Sequence, residues 1–167
     1  MRFVFLFALI VLITTKSEAV DLDYGTIDYT PGYSGNFNAD MDPSDGSISC
    51  NRANYYTCAA FGTPGSGLIP GTQGQVVTIG CRKTPKVGNG LRPLSIGNAE
   101  IYIDGVQAAC SGVNNPVITH TLGATQAENT VYWGGRLKVR GGTDNLSGSY
   151  DETQSAGKPM RIKYLYQ

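Results

Sequence analysis

Few residues in this 167-residue chain have types and spacings that could do chemistry. His120, the only histidine, stands between Thr119 and Thr121 in a stretch that alternates as a strand does. A Ser-His-Asp hydrolase would need a nucleophile set against such a base, and the chain has no G-x-S-x-G elbow and no partner motif. A strand histidine that faces solvent or is satisfied by its neighbours is the expected reading. Asp21 and Asp23 share one strand face, as acid–base work between two carboxylates would require. The solvated face of a first strand accounts for them more simply. Asp40-Met41-Asp42-Pro43-Ser44-Asp45-Gly46 places oxygen ligands at alternate positions, as calcium loops do. The calcium pattern wants glycine sixth and an acidic residue twelfth, whereas Gly46 is seventh and Asn51 twelfth, so a plain turn is expected. Gly134-Gly135 and Gly141-Gly142 open no helix and precede no Lys-Ser/Thr pair, which excludes a phosphate cradle. No catalytic residue, metal ligand or cofactor is expected, and no enzyme activity.

The remaining candidates bind rather than react. Tyr132 and Trp133 could form a ligand platform, with Tyr55-Tyr56 beside it, although a single tryptophan in a strand more often plugs a core. Val20, Leu22 and Tyr24, and again Ile162, Tyr164 and Tyr166, alternate apolar side chains as a strand that pairs with another chain would. Cys50, Cys58, Cys81 and Cys110 make an even count without any C-x-x-C, which favours disulfides over zinc. Three connectivities are open. The favoured one joins Cys50 to Cys58 across a short hairpin and Cys81 to Cys110 between mid-chain strands, each bridge contributing about 2–4 kcal/mol. Asn145-Leu146-Ser147 is a glycosylation triplet.

The elements that would carry these residues are strands. Met1-Arg2, an apolar run from Phe3 to Ile13 and a small-x-small site ending at Ala19 describe a cleaved signal peptide. The run is shorter than the roughly 18–20 residues that span a bilayer, and nothing later is a membrane-span candidate. Residues 20–167 then form one domain. Thirteen basic residues balance thirteen acidic ones. Removing Arg2, Lys16 and Glu18 leaves 11 against 12, so nothing in the charge points to nucleic acid or an anionic membrane.

Val20–Tyr24 reads as a short strand stopped by Gly25, Tyr33–Met41 as a second, and Ser47–Phe61 as a hairpin between Cys50 and Cys58. Residues 62–74 read as a loop, Gln75–Cys81 as a strand, and Arg82–Pro93 as an exposed basic connection, most exposed over Arg82–Leu91. Leu94–Ala109 is a hairpin turning at Asp104-Gly105. Val117–Leu122, Val131–Val139 and Met160–Tyr166 complete the set, the last expected in mid-sheet beside the Leu137 strand because it runs to the final residue. No window outside the signal peptide has 3.6-residue apolar spacing. About eight to ten short strands imply a β-sandwich or barrel.

Two separated stretches carry a family resemblance. Asp21-Leu22-Asp23-Tyr24-Gly25-Thr26-Ile27 with Tyr33-Ser34-Gly35 is similar to an L-x-F/Y-G opening strand and its successor. Gly134-Gly135-Arg136-Leu137-Lys138-Val139, Gly148-Ser149-Tyr150 and Ile162-Lys163-Tyr164 are similar to a G-G-x-L-x-V, G-x-Y, V-x-Y ending. The pattern resembles the bacterial family known as domain of unknown function 4402 and the spore coat protein U-like subunits of archaic chaperone–usher pili. The cysteine-bearing middle is less typical. The resemblance implies an immunoglobulin-like β-sandwich of two antiparallel sheets, exported to the periplasm, outer surface or medium of a Gram-negative bacterium. It further implies a structural or adhesive envelope role, such as a fimbrial subunit. Self-association or an envelope partner would act through a sheet edge, and a periplasmic chaperone is a further implied partner. Strand donation needs roughly ten residues ahead of the first domain strand, and cleavage after Ala19 leaves almost none before Leu22. Either Val20–Tyr24 is the donated strand or the fold is complete without one. The alternative function is a secreted carbohydrate- or ligand-binding sandwich.

Overall fold

Period-two alternation is realised as strand almost everywhere in the computed structural model, which describes residues 21–30, 35–51, 54–88, 93–140, 148–155 and 158–167. The expected signal peptide, Val20, Gly141-Gly142 and Asn145 lie outside them. The strands are β1 (Asp23–Tyr29), β2 (Phe37–Met41), β3 (Ile48–Cys50), β4 (Tyr56–Cys58), β5 (Gly65–Leu68), β6 (Val76–Cys81) and β7 (Lys86–Gly88). They continue as β8 (Pro93–Ile103), β9 (Val106–Ala109), β10 (Gly112–Thr121), β11 (Thr130–Val139), β12 (Gly148–Asp151) and β13 (Ile162–Tyr166). Among the described residues the only helical pieces are the 3-10 turns Ala127–Asn129 and Glu152–Gln154. No helix there is long and apolar enough to cross a membrane.

All pairing is antiparallel and falls into two sheets, an all-β, sandwich-like arrangement. The larger sheet runs β3-β2-β11-β8-β7-β12-β1-β4, with β5 also on β11 and β9 on β8; the smaller runs β10-β6-β13. The larger sheet curls until its end strands meet. There the Ile48 N–H donates to the Ala60 carbonyl at 2.9 Å, Ser47 bridges Phe61, and Cys50 is bonded to Cys58. The other disulfide joins Cys81 of β6 to Cys110 after β9 and so ties one sheet to the other. Two disulfides fit an oxidising, exported environment.

Two bulges set which side chains face inward. In β1 the buried residues switch from Leu22 and Tyr24 to Ile27 because the register slips between Asp23 and Thr26 at Gly25, whose φ is +66°. Glycine adopts that conformation without steric cost, so Gly25 bends the strand instead of ending it. In β8 the inward set switches from Leu94 and Ile96 to Ala99, Ile101 and Ile103. Asn98, at φ +47°, is the extra residue there, opposite the Gly134–Arg136 step of β11.

Other expectations change for equally local reasons. Residues 62–74 contain a strand after all: β5 pairs with Thr130–Trp133 of β11. Its inward positions are Gly65 and Gly67, so it has no apolar alternation to read. A Cβ at Gly65 would lie 1.9 Å from Trp133 Nε1; the indole occupies the space that a side chain would need. Residues 82–91 are not all exposed connection, since β7 pairs with β8 and β12 and Val87 is fully buried. The expected Ser47–Phe61 hairpin closes only at its base, through the Ser47–Phe61 bridge and the Ile48–Ala60 bond, while the ladders of β3 and β4 run with β2 and β1. β13 lies not beside Leu137 but at the edge of the smaller sheet, paired with β6.

One buried carboxylate fastens three remote segments. Glu152 is 4% exposed. Its Oε2 accepts from the Leu22 N–H at 3.0 Å and from Trp133 Nε1 at 3.3 Å, and its Oε1 accepts from the Met160 N–H at 2.6 Å. Its own N–H donates to the Leu22 carbonyl at 3.1 Å. Burial pushes the carboxyl above its ordinary range, and the three donors pull it back.

Glu152→Ala strands three buried donors and is expected to cost about 3–5 kcal/mol, read as a lowered urea midpoint. Gly65→Ala should cost about 1–3 kcal/mol by overpacking against Trp133. An unchanged thermal midpoint for the Gly65 variant would contradict the indole placement.

Candidate functional site

The smaller sheet has two edges that are built differently. On β10, Pro116 has no N–H to offer, and the register slips twice between Gly112 and Ile118. Proline and bulges both spoil an edge as a template for another strand. β13 has neither. Its pairing with β6 runs without a break from Ile162 opposite Cys81 to Tyr166 opposite Val77.

The hydrogen bonds at its ends give the direction of every backbone group. The Arg82 N–H donates to the Arg161 carbonyl at 2.9 Å, and the Gln167 N–H donates to the Val76 carbonyl at 3.0 Å. In an antiparallel ladder, residues facing the partner alternate with residues facing away. Arg161, Lys163, Leu165 and Gln167 therefore bond toward β6, while the N–H and C=O groups of Ile162, Tyr164 and Tyr166 point to the other side. Among the described residues no strand pairs with that side.

Side chains on β13 divide by face. Ile162 and Tyr164 pack against the core, and burial pushes the Tyr164 hydroxyl upward, helped by neighbouring Tyr166. Tyr166 donates from its hydroxyl to the Pro70 carbonyl at 2.5 Å. Leu165 is 43% exposed on the outer face, and Lys163 donates from Nζ to Asn114 Oδ1 at 3.1 Å.

The other strand-pairing candidates are not available in this way. Leu22 and Tyr24 are fully buried, and the Tyr24 hydroxyl donates to the Gly135 carbonyl at 2.7 Å. They belong to the protein's own core. The expected ligand platform is also divided: Trp133 is buried against Glu152, while Tyr132 is on the opposite, outer face with its ring 6.4 Å from that of Tyr102. Tyr55 and Tyr56 separate likewise, Tyr55 exposed and Tyr56 stacked on Phe37 at 4.1 Å. Tyr102 carried no signal in the sequence, because its nearness to Tyr132 comes from the β8–β11 register alone.

The remaining polar candidates take local roles. Asp42 Oδ1 accepts from the Ser44 N–H at 2.8 Å and its hydroxyl at 2.6 Å, and Asp45 Oδ1 accepts from the Ser47 N–H at 2.8 Å. That is a turn held by its own carboxylates. Asp23 Oδ1 accepts from the Gly25 N–H at 2.7 Å and supports the bulge. His120 is half-buried on β10, and its Nε2 has no hydrogen-bond partner among the described residues. Among those residues no group of His, Cys, Asp and Glu is placed to hold a metal ion.

Comparison with known proteins finds no matching family model, curated protein or solved structure.

The tyrosines give a pH signature. Burial, with the charges of Asp40 and Glu152, raises the Tyr24 hydroxyl, and burial raises Tyr164. Their contribution to stability is fully present below the ordinary tyrosine value of 10.0 and is lost as pH rises through the higher folded values. An ultraviolet phenolate titration should leave both protonated until alkaline unfolding, and Tyr164→Phe should remove one of the late-titrating groups.

Proposed function

We propose that this protein is an exported structural or adhesive component of a bacterial envelope that joins another chain by strand addition along β13. The observation that carries this reading is the continuous, proline-free and bulge-free edge that presents the backbone groups of Ile162, Tyr164 and Tyr166. An added strand would receive three donors and three acceptors there, with Leu165 beside them as an apolar contact. The protected β10 edge favours this reading by contrast, since a fold with no use for pairing has equal reason to blunt both edges. Two disulfides suit a periplasmic or extracellular location. The resemblance to chaperone–usher subunits supports the same role. Because Leu22 and Tyr24 are committed to the core, the protein acts as the acceptor of a strand and does not donate Val20–Tyr24. A second copy, a fibre subunit or a periplasmic chaperone could supply the added strand.

The test is Tyr166→Pro combined with Leu165→Lys, which removes one outward N–H, the apolar contact and the Tyr166–Pro70 hydrogen bond while leaving the backbone bonds from Leu165 to β6. Sedimentation of the oxidised, exported protein should show wild-type oligomers and a monomeric variant that still unfolds cooperatively, less stable by about 1 kcal/mol for the lost Pro70 bond. A wild type that stays monomeric at high concentration, alone and with envelope extract, would sink the reading.

A further inference from the structure

The outer face of the larger sheet carries a second site, independent of the β13 edge. Residues directly opposite each other in a sheet present side chains to the same face, and the register builds two rows. One runs Ser66-Tyr132-Tyr102-Gln107 across β5, β11, β8 and β9. The other runs Ser49-Asp40-Arg136 across β3, β2 and β11. The second row, with Gln107 from the first, lines a depression of about 430 Å³ that Glu100, Gly135 and Asp42 complete, and the two tyrosines lie beside it, outside its lining. Its size is within the range of small-ligand sites, roughly 300–1,000 Å³.

Glycines shape it. A Cβ on Gly134 would come within 2.7 Å of the Met41 carbonyl oxygen, so its absence lets the Met41–Pro43 backbone cross close over β11 and brings Asp42 to the rim. Gly135, at φ +138°, accommodates the bulge at Asn98 on the opposite wall. The polar groups are held in place: Arg136 Nε donates to Asp40 Oδ1 at 2.6 Å, and Gln107 Nε2 donates to Glu100 Oε2 at 2.6 Å. A carboxylate offers about four lone-pair sites, so one N–H donor leaves capacity to accept from ligand hydroxyls.

We infer that this depression binds a neutral saccharide. Sugars combine an apolar face of C–H groups with a rim of hydroxyls that both donate and accept. The tilted Tyr102–Tyr132 pair, both half-buried, flanks the depression with an aromatic surface about 6.6 Å along β8 from Glu100, which a ligand seated among the polar groups would have to overhang to reach. Asp40, Asp42 and Glu100 accept from hydroxyls, and Arg136 and Gln107 donate to them. With three carboxylates against one guanidinium the site is net acidic, which disfavours anionic sugars.

The experiment titrates the oxidised, nitrogen-labelled protein with methyl α-mannoside, lactose and chitobiose, and with polygalacturonate as the anionic comparison. At least one neutral probe should shift amides confined to the 40–49, 98–109 and 132–136 segments. Gln107→Ala, at an exposed position that leaves the fold intact, and Tyr102→Ala should each weaken that binding about tenfold. Thr119→Ala, on the other sheet, should leave it unchanged. Shifts with none of the three neutral probes, or shifts that survive both substitutions, overturn the assignment. Preferential binding of polygalacturonate overturns the neutral class.

Discussion

Everything in this fold closes around the Glu152 carboxylate. A buried charge is costly unless its hydrogen-bonding capacity is used, and here the donors come from three places far apart in the chain. Leu22 leads into β1, Trp133 is the centre of β11, and Met160 precedes β13. No two neighbouring residues could supply this set, so the carboxylate is satisfied only when all three segments have arrived. That makes the two terminal strand segments cooperative with the central one. Trp133 adds a second condition, because its indole reaches Glu152 only across space that Gly65 leaves empty.

The same central strand serves two faces. Inward, Val131, Trp133, Leu137 and Val139 are buried, each apolar side chain of this size contributing about 1.5–3 kcal/mol. Outward, Tyr132 and Arg136 stand among polar neighbours. Gly134 and Gly135 between them allow other backbone segments to come close on both sides. Glycine here acts through closeness of approach, and it does so where the outer surface is most indented. The smaller sheet divides its work by edge instead of by face, with a broken β10 and an unbroken β13 on either side of β6.

Much of this was readable from residues. Strong alternation marked β6, β11 and the second half of β10 from Val117, Asp104-Gly105 marked the turn between β8 and β9, and an even set of cysteines marked the disulfides. Even the β8 bulge left a trace, in the change from Leu94 and Ile96 to Ile101 and Ile103. What stayed hidden lacked a local signature. β5 buries glycines, β7 is three residues long, and Gly25 looks the same in sequence whether it ends a strand or bends one. The partnership of Tyr132 with Tyr102 depends on register, which no window of sequence contains.

The amino-acid sequence by itself determined the strands that carry apolar alternation, β5 and β7 excepted, because side-chain alternation and turn chemistry act over a few neighbours. Tertiary structure alone decided which strand lies beside which. That is why β13 emerged at an edge rather than in mid-sheet, why Tyr132 came to lie beside Tyr102, and why Glu152 became the common acceptor. Pairing partners are chosen by how distant apolar faces fit and by which buried donors must find an acceptor. Those are properties of the assembled chain, not of any short stretch of it.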